Sequence, residues 1–284
     1  MARKIKTAAK ARKVEHYANS RGLPAFEAYY TALYGERWPR LREALAENPR
    51  AEDFAQGLAK AYRLDRASVI AARCLRLPDA GFVLDACAAP GGKALALLSR
   101  MAQGVTLVAN ERSRERRRRL QAVLDEHLPA EKRGQVRVSG FDAASAGGRG
   151  SERGRFGAVL LDAPCSAERH LVRKPCLLER WNPAGPAFLA QRQWALLSAA
   201  YLLSMPGASL VYVTCAISPE ENDRVSQRLL AKYPQGAALD RPDFQEGEET
   251  AFGRIILPDV SDRMGPLYIA RFRLQPRAPL QGVD

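Results

Sequence analysis

The 284-residue chain predicts an α/β fold: an open parallel sheet with helices on both faces, preceded by a small helical domain. Three observations lead there. From Pro78 onward, short apolar runs of strand length alternate with helical stretches, the texture of a parallel sheet covered on both sides. Before that, apolar residues recur at three- and four-residue steps (Phe26, Tyr29, Tyr30, Leu33; Leu41, Ala44, Leu45; Phe54, Leu58, Tyr62), with Pro24 and Pro39 where helices begin. A turn of small residues, Ala86–Gly92, stands where the first strand ends and a helix starts.

The elements follow in order. Residues 1–20 form a basic arm, whose first 14 residues hold six bases (Arg3, Lys4, Lys6, Lys10, Arg12, Lys13) and no acid. Residues 21–77 form the helical domain, in which Tyr29, Tyr30, Tyr34 and Trp38 at helical spacing are expected to pack a core. Residues 78–276 carry the sheet, with strands at Phe82–Asp85, Val105–Ala109, Val136–Val138, Ala158–Leu161 and Leu210–Thr214. Helices are expected at Lys93–Met101, Arg112–His127, Pro186–Ser204 and Pro219–Lys232, the last opened by a capping box of Ser218 and Glu221. Arg254–Leu257 and Leu267–Phe272 are expected to close the sheet edge as a hairpin, and residues 277–284 form a tail.

Composition narrows the function. With 46% hydrophobic and 26% charged residues, the chain is neither disordered nor collagen-like. No apolar run approaches the ~18 residues of a membrane span. Five cysteines, odd in number and widely spaced, suit a reducing compartment, so a cytoplasmic location is expected, or a mitochondrial one if the acid-poor start is a transit peptide. The 44 Lys and Arg against 31 Asp and Glu leave a net charge of +13, a surface that attracts polyanions, nucleic acid above all.

Ligands of open α/β sheets bind at the carboxyl ends of the strands, where Cys87, Ala88, Ala89, Pro90, Gly91 and Gly92 let a ligand approach the backbone. A phosphate-cradling loop fails here, because Cys87 replaces its first glycine and Ala94 its magnesium-binding hydroxyl; no Gly-x-Gly-x-x-Gly fingerprint occurs either. Glu111 closes the second strand 20 residues after Gly91, the spacing that places an acid on ribose hydroxyls, and Asp142 closes the third. Each acid alone equally suits a helix cap. Together with the turn they point to S-adenosylmethionine. Asp162-Ala163-Pro164-Cys165 and Thr214-Cys215 end two further strands, which puts two thiols in the same crevice.

These segments, DACAAPGGK (Asp85–Lys93), DAPCS (Asp162–Ser166) and TCAISPEEN (Thr214–Asn222), resemble the Nop/Sun group of RNA 5-methylcytosine methyltransferases, over roughly Phe26–Leu274. Phe26–Leu45, Glu168–His170 and Ile256–Phe272 look most similar to its mitochondrial ribosomal-RNA branch. Met264-Gly265-Pro266-Leu267-Tyr268 departs from the glycine–double-phenylalanine pattern of most other branches.

The resemblance implies a Rossmann-like methyltransferase acting on cytosine carbon 5 of a structured RNA, ribosomal or transfer. It implies Cys215 as nucleophile, Cys165 assisting product release, Asp162 on the cytosine, and Lys93 lining the site. The cofactor set becomes Cys87–Lys93, Glu111, Arg116, Asp142 and Asp162, with Cys87 contributing backbone only. No metal is assigned, a monomer is expected, and the need for a protein partner stays open. Among six arginines in Arg112–Arg119, those other than Arg116 are either phosphate contacts or a solvated face; Arg169, His170, Arg173 and Lys174 border the reactive crevice. The rival reading is a non-catalytic RNA-binding or ribosome-assembly factor that keeps the fold. An adenine-amino methyltransferase would need an Asn/Asp-Pro-Pro-aromatic turn, which is absent at Asp162–Cys165.

Overall fold

A computed structural model describes residues 21–148 and 152–275. The expected basic arm and tail lie outside the described residues.

The chain opens with α1 (Gly22–Tyr34) and α2 (Trp38–Ala46), α2 starting with Pro39 in its first turn, where a missing N–H costs nothing. Next comes an antiparallel hairpin, β1 (Ala51–Phe54) and β2 (Tyr62–Asp65), and then α3 (Arg66–Cys74), capped by Asp65, whose carboxylate accepts from the Ala67 N–H. The hairpin corrects the helical reading of Phe54, Leu58 and Tyr62. Phe54 and Tyr62 are cross-strand partners, and the connection turns at Gly57, whose φ is +65°. The eight-residue interval suits two helical turns and a short hairpin alike, and Gly57 decides it.

The sheet follows with β3 (Gly81–Asp85), α4 (Gly92–Leu98), β4 (Val105–Asn110), α5 (Arg114–His127) and β5 (Val136–Ser139). It continues through α6 (Ala143–Ala146), β6 (Phe156–Asp162), α7 (Glu168–Arg173), α8 (Pro175–Leu178), α9 (Gly185–Leu203) and β7 (Ser204–Thr214). The last elements are α10 (Asp223–Lys232), β8 (Ala237–Leu239), β9 (Glu248–Glu249), β10 (Arg254–Ile256) and β11 (Leu267–Leu274).

The strand order is β5-β4-β3-β6-β7-β11-β10-β9, with β8 paired to β11. The five strands from β5 to β7 run parallel, and β11 joins β7 antiparallel. The β10–β11 hairpin therefore does extend the sheet beyond β7.

Alternation along the central strands builds the core. Leu84, Val159, Leu161, Leu210 and Tyr212 face one apolar cluster, whereas Val83, Ala158, Leu160, Val211 and Val213 face the other. Both faces are buried, as parallel strands require. Residues 21–77 divide between these clusters: Phe26, Tyr29, Tyr30, Trp38 and Leu41 belong to the first, Ala67, Ile70 and Ala71 to the second. The segment thus shares its core with the sheet.

The expected helix from Pro219 begins only at Asp223, and the capping box does not form. Ser218 Oγ accepts from the Glu220 N–H, while the Glu221 carboxylate turns away to Ser166 and Gln193. A buried partner fifty-five residues upstream outcompetes a local cap.

Candidate active site

The order of strand addition reverses between β3 and β6, which are parallel, hydrogen-bonded neighbours with β4 and β5 on one side and β7 on the other. A crevice opens at such a switch point, beyond the carboxyl ends of the strands. Two recesses lie there, separated by the turn that follows β3.

The first, about 180 Å³, is lined by Cys87, Glu111, Arg116, Asp142, Pro164 and Arg192, among others. Gly91 reaches φ +124°, a conformation closed to side chains, and a Cβ there would sit 3.0 Å from Val123. Arg116 clamps the turn by donating to the Ala89 carbonyl (2.8 Å) and lies 3.2 Å from Glu111 Oε2. Glu111 Oε1 accepts from the Ser113 N–H, but its buried Oε2 has no hydrogen-bond donor. Asp142 caps α6 through the Ala144 N–H and faces Arg112 at 3.4 Å. Both acids therefore serve their neighbouring backbone and also line one groove. The orphaned Glu111 oxygen suits a ribose hydroxyl donor, so the residues present fit S-adenosylmethionine.

The second recess, about 400 Å³, brings Lys93, Asp162 and Cys215 together with Arg169, His170 and Arg173. Lys174 is not part of its lining. Lys93 Nζ donates to Asp162 Oδ2 at 2.8 Å. Burial alone would lower the lysine's pKa, but Asp162 outweighs it and holds the ammonium charged. Cys165 and Cys215, at the ends of adjacent strands, stand with sulfurs 3.0 Å apart, both free thiols. The hydrogen bond with Cys215, in which either sulfur can donate, and burial push the Cys165 thiol well above its ordinary value. Burial likewise raises Cys87. Cys74 is buried and Cys176 exposed, neither lining these recesses.

Four features escaped sequence reasoning. Asn110 gathers three strand ends, donating to the Ala86 and Phe141 carbonyls and accepting from Ser139 Oγ and the Phe141 N–H. A polar residue ending an apolar run was its only signal. Asp65 accepts from the Gly265 N–H and lines the larger recess. Arg117 donates to the Glu111 and Arg112 carbonyls, so it braces the strand end, while Arg114, Arg118 and Arg119 stay exposed. Glu168, whose side chain is wholly buried, joins Tyr30 of α1 to the Ile217 N–H.

Against this geometry, a family model described as "16S rRNA methyltransferase RsmB/F" matches residues 72–273. The chain belongs to this family. The RsmB/F chain is 33% identical over 245 residues to "5-cytosine rRNA methyltransferase NSUN4" of Mus musculus, covering 80% of its own length and 64% of that protein. It is 34% identical over 201 residues to "Ribosomal RNA small subunit methyltransferase F" of Klebsiella pneumoniae, covering 69% and 41%. It is 30% identical over 233 residues to the mitochondrial "tRNA (cytosine(34)-C(5))-methyltransferase" of Danio rerio, covering 76% and 61%. The chain thus spans about three-fifths of the length of the NSUN4 relatives it matches.

Among solved structures, NSun6 from Pyrococcus horikoshii with SFG aligns at a TM-score of 0.64 and 25% identity, covering 79% of this chain and 55% of that one. A methyltransferase homologue from Pyrococcus horikoshii aligns at 0.67 with 22% identity, covering 93% and 98%, and shows the shared fold. This RsmB/F chain has the Rossmann-like fold of S-adenosylmethionine-dependent methyltransferases. No helix among the described residues is long and apolar enough to cross a membrane.

Proposed function

We propose that the protein methylates carbon 5 of cytosine in a structured RNA, ribosomal RNA favoured, with Cys215 as the covalent catalyst. One observation carries the reading: Cys215 lines one recess with a part-buried Lys93–Asp162 pair, its sulfur 3.0 Å from that of Cys165, beside a groove suited to a nucleoside. Ribosomal RNA is favoured because the mouse and Klebsiella relatives are named for it.

Carbon 5 of cytosine is a poor nucleophile. A Cys215 thiolate adding to carbon 6 makes the 5,6-bond behave as an enamine, whose carbon 5 can then take a methyl group. S-adenosylmethionine, when bound, supplies that methyl as an electrophile, with Ala88–Gly92, Glu111, Arg116, Asp142 and Asp162 lining its side. Lys93 holds Asp162 in place, and Asp162 faces the cytosine amino group or ring nitrogen, stabilising the charge of the adduct. After transfer the carbon 5 proton passes to a solvent water acting as base, its bonding pair re-forms the 5,6-double bond, and the bond from carbon 6 to Cys215 breaks with the sulfur departing as thiolate. Cys165, whose sulfur lies 3.0 Å from that of Cys215, assists this release.

Arg169, His170 and Arg173 line the mouth where an unstacked nucleotide would enter. The test is transfer of labelled methyl groups to total RNA, with bisulfite sequencing of cells with and without the protein. Cytosines that lose protection in its absence are expected. Intact RNA binding with no methyl transfer would favour the RNA-binding factor instead.

A further inference from the structure

Behind the two thiols lies a polar cluster that the reaction scheme above does not use. Ser166, which follows Cys165, places its hydroxyl oxygen 2.5 Å from Glu168 Oε1 and 2.5 Å from Glu221 Oε1. Both carboxyl groups are fully buried. A serine hydroxyl carries one hydrogen and can donate only once, so contacts this short to two carboxyl oxygens require one carboxyl group to bring a hydrogen of its own.

The other partners decide which. Glu168 meets three partners: the Tyr30 hydroxyl and Ser166 Oγ at Oε1, and at Oε2 the Ile217 N–H, which can only donate. A hydrogen on Oε2 would oppose the Ile217 N–H, and one on Oε1 would weaken the oxygen that accepts from the Tyr30 hydroxyl, so Glu168 suits the ionised form. Glu221 receives the Ser166 N–H (3.0 Å) and Gln193 Nε2 (2.8 Å), both at Oε2. Among the described residues its Oε1 meets Ser166 Oγ and no other donor, so a hydrogen carried there displaces no accepted bond.

We infer that Glu221 is a carboxylic acid in the folded enzyme, donating to Ser166 Oγ, which in turn donates to ionised Glu168, and that this chain is the positioning device for the Cys165–Ser166 turn. Its reach explains the construction. Glu168 ties Tyr30 of α1 to Ile217, two residues after Cys215, while Glu221 ties Ser166 to α9 through Gln193. Both cysteine-bearing turns thus hang from one network, which holds their sulfurs in contact.

The surroundings agree. The groups facing Glu221 are Glu168, Ser166, Gln193, Tyr29 and Tyr30 of α1, Tyr212 of β7, Cys165 and the neighbouring Glu220. Among the described residues no Lys or Arg pairs with either carboxyl group. Burial and the Glu168 charge push Glu221 up to about 7.

The positioning role rests on the proposed methyl transfer; the proton assignment does not, so the test has two readouts on the full chain. In Glu221→Gln the amide reproduces the acid, with NH₂ donating to Ser166 Oγ and C=O accepting at the Oε2 position. Methyl transfer within about twofold of wild type is expected, since no hydrogen bond is lost. In Glu168→Gln the amide nitrogen either takes the Oε1 position and deprives the buried Tyr30 hydroxyl of its acceptor or takes the Oε2 position and opposes the Ile217 N–H. A loss of about tenfold or more is expected, the scale of one charged hydrogen bond.

The second readout is denaturant stability against pH. Because the folded value lies above the unfolded one, this group's stabilisation is complete below about pH 4.5 and is lost as pH rises through about 7. Glu221→Gln should remove that share of the decline, whatever reaction the enzyme catalyses. An unchanged decline, or a Glu221→Gln variant as damaged as Glu168→Gln, overturns the assignment. If Glu168→Gln fails to fold, the Glu221→Gln decline alone decides.

Discussion

Single atoms set the chemistry. Replacing Cys215 by alanine is expected to abolish methyl transfer while leaving cofactor affinity nearly intact, measured by label incorporation and by a binding titration, because the nucleoside groove does not include that sulfur. Cys165→Ala removes the thiol that touches Cys215, and a protein–RNA adduct is expected to accumulate on a denaturing gel. A migration profile identical to wild type would contradict the assigned role. Asp85 offers a test on folding alone. It is fully buried at the end of β3, neither carboxylate oxygen has a hydrogen-bond partner, and burial plus the Asp162 charge push it up to about 7. Its contribution is complete at pH values below the unfolded pKa and is lost as pH rises through about 7. Asp85→Asn should therefore match wild type in urea unfolding near pH 4 and exceed it by about 2–4 kcal/mol near pH 8. Equal stability at both pH values would refute the burial argument.

Elements turn those atoms toward one another. The cofactor turn relies on Gly91 at φ +124° against Val123 and Leu120 of α5. Gly91→Ala adds backbone strain and a close contact, so a loss of about 1–3 kcal/mol in stability is expected, with weaker cofactor binding. Unfolding and binding measured on the same preparation check both; no change in either would show that the turn tolerates a Cβ. The turn was legible in the sequence because its constraint is local: a run of small residues between a strand and a helix. The β1–β2 hairpin was not, since Phe54 and Tyr62 at an eight-residue interval satisfy a helix period and a cross-strand pair equally. The start of α10 was misread for a related reason: Ser218 and Glu221 have the spacing of a capping box, yet Glu221 gains more by meeting Ser166 and Gln193 in the core.

On the scale of the whole molecule, charge is what the proposed encounter with RNA depends on. A net charge of +13, with Arg114, Arg118 and Arg119 exposed on α5 and Arg169 and Arg173 around the larger recess, presents cations on and beside the site. RNA affinity should fall steeply with salt, each neutralised phosphate adding roughly 0.7 to the slope of log K against log salt for single strands. A flat response in a filter-binding titration would remove phosphate contact as the basis of binding.

The sequence by itself determined the parallel sheet, the small-residue turn after its first strand and the two cysteines beyond neighbouring strand ends, because strand alternation, small residues and strand ends are properties of neighbouring positions. Only the tertiary structure decided that Tyr30, Glu168, Ser166 and Glu221 meet, or that Asn110 gathers three strands. These are contacts across tens to more than a hundred residues, chosen by which buried polar groups can satisfy one another once the chain has closed, and no local pattern records them.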